Sequence, residues 1–475
     1  MQYKSNLIEL SAAIVLKKIL QQGWPFALSR LFFIGNAFLM TLILVRYNHD
    51  YLSVTPLITS GQLFLLSIAI GVMYSVAIKV GINFGSGNFK QVGKIFQASL
   101  IQSLILSLPV IVICLLASKI YIGAEQDPHL ARLSQKYFTI ICMGIIPCLM
   151  VNAMQQVLIG MAKAKAVLLS TVINTALFVG VGYPLVNGVA SMEGLGIAGM
   201  GYAFVIANWI NLVLLILYLK YEQNFTIFGL YEKNKIIELM SELKSLFKIG
   251  MPIGVQISSE LATVITVTMF AGVLGMLAEN QITDQYLAIV VVISFAISQT
   301  VGVLVGREFG ANNIANAKMV GKVSIMLSLG IGVLVALLFN IFSELLAEVF
   351  TTNKTLIIAT STLFLINSIG VIADNIRNIT TGVLRGYKYS FWPAIANSIC
   401  MTGITLPLAY VLGFIAGLGI EGIYSARAIG MVLGAIAILL LYNKKMKKSA
   451  VLNKYQDDDL ILSRQNDGES IYQSS

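Results

Sequence analysis

Twelve stretches of more than 20 largely apolar residues take up most of this chain, at 24–46, 52–78, 95–118, 133–159, 164–187, 194–219, 246–275, 283–306, 317–343, 352–383, 390–415 and 419–443. A bilayer core about 30 Å thick needs about 20 such residues per helical crossing. The runs are far longer than barrel strands and show no sustained two-residue alternation, which argues against a β-barrel. Composition agrees: 57% of the 475 residues are hydrophobic and only 11% are charged, against about 25% charged in soluble domains. So little polar surface cannot cover a water-facing globule of this length. The expected fold is an all-α integral membrane protein with twelve transmembrane helices.

The basic residues orient those helices. With the N-terminus placed inside, inner segments hold 24 of the 32 lysines and arginines, and outer segments hold five (Arg46, Lys119, Arg132, Lys136 and Lys354). Arg30, Arg377 and Arg427 fall within spans. Positive loops stay on the cytoplasmic side, so both termini are expected there. The formal charge of +10 then reflects topology and gives no reason to expect nucleic acid. Lys444 to Lys448 read as an anchor against lipid headgroups. Leu7 to Leu20 resemble an amphipathic helix lying on the membrane surface rather than a cleavable signal. The cysteines Cys114, Cys142, Cys148 and Cys400 sit in apolar runs without ligand spacing, which speaks against a disulfide framework or a structural metal. His49 and His129 fall in outer loops.

An internal repeat runs at an offset near 225. Gly23-Trp-Pro25 matches Gly250-Met-Pro252, Gly85-Ser-Gly-Asn88 matches Gly310-Ala-Asn-Asn313, and Val157-Leu-Ile-Gly160 matches Val383-Leu-Arg-Gly386. Gly194-Leu-Gly-Ile-Ala-Gly199 matches Gly417-Leu-Gly-Ile-Glu-Gly422. Six spans per copy give both copies the same orientation, so two parallel six-helix bundles should be related by a pseudo-two-fold along the membrane normal. The expected organisation is an interfacial segment 1–22, a bundle 23–220, a cytoplasmic linker 221–248, a second bundle 249–445 and a polar tail 446–475.

Ionisable groups in hydrocarbon are costly and mark function by default. Of 22 acids, two lie deep within spans: Glu260 and Asp374. Glu260 is 12 residues from Lys248 and Asp374 is 11 from Arg385, about 18 and 16 Å along a helix, so both sit near mid-depth. Gln256 lies four residues before Glu260, Asn378 four after Asp374, and Asn367 seven before it, which makes a polar stripe. A cavity in the second half that takes up a cation or a proton follows, since low dielectric favours the protonated acid. The alternative is a structural ion pair, with Arg377 neutralising Asp374 and Arg30 or Arg377 neutralising Glu260.

From about residue 20 to 445 the chain resembles the multidrug and toxic compound extrusion (MATE) family, and is most similar to its NorM-type branch. The resemblance rests on Gly250-Met-Pro252, Gln256, Glu260, Gly272-Val-Leu-Gly275, Gln281-Ile, Gly306-Arg-Glu-Phe-Gly310, Asp374 and Leu384-Arg-Gly-Tyr-Lys388. It implies two bundles around a central cleft, alternating access, and roles for Glu260 and Asp374 in ion coupling and cationic-substrate binding, including transient Na⁺. Many relatives carry an aspartate in the first helix, where Asn36 stands here. An amide does not exchange protons in that range, so coupling is assigned to the second half.

The resulting expectation is a secondary antiporter, acting as a monomer without a cofactor, that exports amphipathic cationic drugs or toxic compounds in exchange for H⁺ or Na⁺. The NorM-type resemblance points to a bacterial inner membrane. No nucleotide-binding loop is present, and one charge crossing 100 mV releases about 2.3 kcal/mol. A flippase for lipids or lipid-linked sugars is the alternative, and an intramembrane lipid-modifying enzyme a remote one. Gln256, Asn367, Asn378, Arg377, Arg30 and Asn36 are the supporting cavity candidates.

Overall fold

The computed structural model describes residues 11–48, 51, 53–189, 192–230, 232 and 234–472, with 448–472 as backbone only. His49, Lys4, Lys233 and the first residues of the Leu7–Leu20 segment lie outside the described residues. Among the described residues, twelve helices long and apolar enough to cross a membrane follow in order. They are α1 (Ala12–Tyr47), α2 (Thr55–Gly85), α3 (Phe89–Leu115), α4 (Pro128–Gly160), α5 (Ala164–Asn187) and α6 (Ile197–Tyr221), then α7 (Ile236–Val273), α8 (Leu277–Gly310), α9 (Ile314–Ile341), α10 (Lys354–Gly386), α11 (Phe391–Ile415) and α12 (Gly419–Tyr472). The only strands among the described residues are the pair Gly188–Val189 and Met192–Glu193 between α5 and α6.

Local chemistry sets the turns on the lysine-rich face, and it does so twice. Asn88 Oδ1 accepts from the Gln91 amide at 3.3 Å and caps α3, and Asn313 Oδ1 accepts from the Asn316 amide at 3.1 Å and caps α9. The residue before each cap, Gly87 or Asn312, has a left-handed backbone. Ala162 and Lys388 are likewise left-handed in the turns after α4 and α10. Such turns satisfy exposed helix-end groups and reverse the chain within a few residues.

Three helices run past the span ends read from the sequence. Residues Ala12 to Gln22 form the first three turns of α1 and run into the span without a break. Val15 and Ile19, four apart, are buried against Val301, Val305 and Val320, because the apolar stripe continues unbroken into the span. Pro25 stays inside the helix, as neighbouring helices permit in membranes. The linker is helical from Ile236, and the expected tail continues α12 to Tyr472, since no proline interrupts it.

Within the first half α4 packs on α2, α3 and α6, and α5 on α1 and α6; within the second, α10 packs on α8, α9 and α12. Across the halves, α2 lies on α7 and α8, α1 on α8 and α9, and α3 on α7. Small residues permit that approach. A Cβ on Gly250 would fall 2.1 Å from the Val72 carbonyl oxygen, and one on Gly254 2.6 Å from a Val72 methyl. Ile253 is shared with the first half's core, and Ile249, Ile257 and Phe295 pack against it. Contacts between halves run from mid-depth to the lysine-rich ends: Tyr74 with Phe295, Gln156 with Gln299, and Lys79 with Glu242. The bundles are therefore joined on the lysine-rich side.

Candidate ion site and the cavity of the first half

The charged stripe of α10 is set in place by its glycines. A Cβ on Gly382 would meet the Ser298 carbonyl oxygen at 2.2 Å, and one on Gly386 the Gly302 carbonyl oxygen at 2.6 Å, so α10 lies directly on α8. On the opposite side Gly434 of α12 leaves room for Arg377, whose Cδ would stand 2.8 Å from a Cβ there. Along the remaining face run Asp374, Arg377, Asn378, Thr381 and Arg385, all buried.

Helix α11 completes the site through an irregularity. Pro407 cannot donate to the preceding turn, and the helix widens into two π-type stretches, Ile399–Ile404 and Val411–Ile415. The Thr405 hydroxyl donates to the Cys400 carbonyl at 2.9 Å, satisfying a group the widening frees. Thr263 of α7 then donates to the Met401 carbonyl at 3.0 Å and stands 3.0 Å from the Thr402 hydroxyl. Glu260, one turn away on α7, is thereby drawn toward α10.

Both deep acids converge on one guanidinium. Arg377 Nη1 donates to Glu260 Oε1 at 2.8 Å and to Asn397 Oδ1 at 3.1 Å. Its Nη2 and Nε donate to Asp374 Oδ1 at 2.7 and 3.1 Å. Asn378 donates to Asp374 Oδ2 at 2.9 Å, and Gln256 to Glu260 Oε1 at 3.0 Å. Arg385 in turn donates to Gln256 Oε1 at 2.8 Å. The Glu260 side chain is 18% exposed and that of Asp374 7%, and Glu260 Oε2 accepts no hydrogen bond among the described residues. One guanidinium against two carboxylates leaves the contact set one positive charge short. Arg385 supplies the balance from one residue further off. A proton or small cation arriving at Glu260 would compete with Arg377 for the same oxygens.

The other expected residues lie elsewhere. Asn367 is buried but donates to the Leu363 carbonyl of its own helix at 2.9 Å, and no bond joins it to the acids among the described residues. Arg30 and Asn36 line a cavity of about 120 Å³ within the first half. Arg30 does not pair with Glu260; its guanidinium carbon sits 4.9 Å from the centre of the Phe26 ring and 5.5 Å from that of Tyr74.

Several residues were missed. Arg385, counted with a loop, is fully buried one residue before the end of α10. Arg427 on α12 pairs with Asp284 on α8 at 2.6 Å, with Asn280 and Tyr424 alongside. Asn397, on the regular first part of α11, accepts from Arg377 at 3.1 Å. The amides of the first-half cavity, among them Gln62, Asn152, Asn174 and Asn211, were visible as polar residues within apolar runs, but a search confined to charges passed over them.

The family MatE matches residues 25–184 and 249–411, more than half of the chain and both halves of the repeat. The chain belongs to the MATE family. It is 24% identical over 443 residues to a probable multidrug resistance protein NorM of Synechocystis sp., covering 91% of this chain and 96% of that protein. It is 25% identical over 441 residues to multidrug and toxin extrusion protein 1 of Oryctolagus cuniculus, covering 91% and 74%. Among solved structures, the Vibrio cholerae MATE transporter VcmN in the bent form superposes with a TM-score of 0.80 at 17% identity, covering 93% of this chain and 99% of that one. A MATE crystal structure in the bent conformation gives 0.83 at 15%, covering 93% and 97%. MATE membership makes the molecule a transporter rather than an enzyme.

Proposed function

We propose that this MATE protein exports amphipathic, cationic organic compounds in exchange for H⁺ or Na⁺, with Glu260 and Asp374 as the coupling acids. The observation that carries the reading is the shared guanidinium: two carboxylates from α7 and α10 meet at Arg377, and one of them keeps a free oxygen. Protonating Glu260, or placing Na⁺ on it, removes its attraction for Arg377 and frees α7 to shift against α10. Because α7 also lies on α2 of the other half, such a shift bears on the contact that joins the bundles. The names of the NorM and multidrug and toxin extrusion relatives support drug-like cargo.

The lysine-rich face is the cytoplasmic one in this reading, both termini lie there, and the membrane is a bacterial inner membrane. Residues 23–220 and 249–445 act as the two bodies, with 221–248 as their connection.

The test is dye efflux from proteoliposomes under separately imposed proton and sodium gradients. The wild-type chain should respond to one of them, and Glu260→Gln and Asp374→Asn should each lose most of that response. Full gradient-driven efflux by both amide variants makes the coupling role untenable. Net efflux without either gradient dismisses antiport altogether.

A further inference from the structure

Helices α1 to α6 contain no aspartate or glutamate. The cavity they enclose is lined instead by asparagines and glutamines, including Asn36, Gln62, Asn152 and Asn208, together with one charge, Arg30. That guanidinium forms no ion pair among the described residues. The Phe26 and Tyr74 rings beside it offset its charge but give its N–H groups no conventional acceptor. Arg30 Nε, Asn36 Oδ1, Asn152 Oδ1, Asn174 Nδ2 and Asn211 Nδ2 are buried without hydrogen-bond partners among the described residues. Groups of this kind are nearly always satisfied in a folded protein, so five of them around one cavity call for a polar occupant. Apolar residues, with Phe33, Phe178 and Phe204 among them, make up most of the rest of the wall.

We propose that this cavity binds the carboxylate end of an amphipathic aromatic solute. Arg30 is the counter-charge, the Asn174 and Asn211 amide nitrogens supply further donors, and the phenylalanine rings hold the apolar part. A cation here would face Arg30 with no acid of the first half to offset the repulsion. At about 120 Å³ the space is smaller than the roughly 300–1,000 Å³ of pockets that enclose a whole drug-sized ligand, so it takes one end of the solute. The two halves thus differ in polarity, with carboxylates in the second and a guanidinium in the first. The site rests on the cavity alone, and its carboxylate-bearing occupant is distinct from the cationic cargo proposed above.

Calorimetric titration of the purified full-length chain in detergent, without any gradient, tests this with three probes of one ring system: 1-naphthoate, 1-naphthamide and 1-naphthylmethylammonium. The wild type should bind naphthoate about tenfold or more tightly than the ammonium compound, as expected for a charge-assisted contact. Arg30→Gln should lose about that factor for naphthoate and little for naphthamide. Arg30→Lys should keep part of the preference, and Asn36→Asp should turn it toward the ammonium. Equal affinities in the wild type, a preference for the ammonium, or unchanged naphthoate binding in Arg30→Gln would overturn the proposal. Should Arg30→Gln not fold, the wild-type order and the Asn36→Asp reversal decide it. Binding is read apart from efflux: loss of gradient-driven efflux with naphthoate preference intact counts against the coupling reading alone, and the converse counts against this site alone.

Discussion

Gly85 and Gly310, 225 positions apart in the chain, press into each other's helices at a single crossing. A Cβ on Gly85 would lie 2.0 Å from the Arg307 carbonyl oxygen, and one on Gly310 would lie 1.9 Å from that of Ile82. Ile82 and Arg307 are themselves 225 apart, so the contact is one contact made twice. One turn earlier, Gly81 faces Val303 and Gly306 faces Ile78 in the same way. The α2–α8 crossing therefore lies on the pseudo-two-fold axis, at the lysine-rich end. The partial equivalence has limits. Gly250 sits hard against Val72, whereas its counterpart Gly23 clears Ile297 by 3.9 Å, so the α7–α2 contact is the closer of the pair.

Backbone cannot yield there as a flexible side chain would, so Gly310→Val should separate α2 from α8 and open the lysine-rich face. With the four native cysteines replaced and one placed at Val303, which is buried in the wild type, maleimide labelling should be slow in the parent and about tenfold faster or more in the variant. Equal rates would show that the crossing does not hold this side shut.

Ion pairs reinforce that closure. Lys79 of α2 pairs with Glu242 on the helical extension of α7, Gln91 donates to the same carboxylate at 2.6 Å, and Lys94 pairs with Glu238 at 2.6 Å. Lys79→Glu places two carboxylates together and should raise the Val303 labelling rate, while Lys79→Glu combined with Glu242→Lys should bring it back. Added salt screens exposed pairs most. Lys94–Glu238, with side chains 28% and 42% exposed, should therefore contribute less at high salt than Lys79–Glu242, at 14% and 16%. A charge swap that labels as fast as the single reversal refutes the pairing.

Gln256 turns its oxygen to Arg385 and its amide nitrogen to Glu260. Gln256→Leu removes the side-chain acceptor of a fully buried guanidinium, at a cost of about 1–3 kcal/mol. Its thermal unfolding midpoint in detergent should fall clearly below that of the wild type. Gln256→Glu offers Arg385 a full counter-charge but turns a carboxylate oxygen toward Glu260 in place of the amide donor; combined with Glu260→Gln, which restores a donor there, it should be more stable than Gln256→Leu. A Gln256→Leu variant that melts together with that double variant would mean Arg385 does not depend on this position.

Much of this arrangement was legible in the sequence because the bilayer leaves so few choices. Span length fixed the helix count, and the offset between Gly85-Ser-Gly-Asn88 and Gly310-Ala-Asn-Asn313 exposed the two halves. Glu260 and Asp374 stood out because charge at that depth is rare. Arg377 could be named for Asp374 from their spacing, but whether Glu260 takes Arg30 or Arg377 was not legible. Arg377 reaches Glu260 across 117 positions of chain, and only the glycine-set approach of α10 to its neighbours brings them together. Arg385 was misplaced because a basic residue near a helix end has the same signature whether it snorkels to the surface or turns inward toward Gln256. The first-half cavity was hidden because amides inside apolar runs carry no charge to count.

Arg377 decides the stability of the second half as well as its proposed chemistry. Removing one member of a buried ion network leaves the others uncompensated, at a cost of about 3–5 kcal/mol, whereas replacing all members together is often nearly neutral. Arg377→Met leaves Glu260 and Asp374 facing each other without their shared donor, and should lower the unfolding midpoint more than any single change considered above. Arg377→Met combined with Glu260→Gln and Asp374→Asn should recover most of the loss, because no buried carboxylate then remains at the site. Neither protein should show gradient-driven dye efflux, since the triple variant has no acid left there to take up an ion. A triple variant no more stable than Arg377→Met would mean that the guanidinium holds α10 through Asn397 and packing rather than through the two acids.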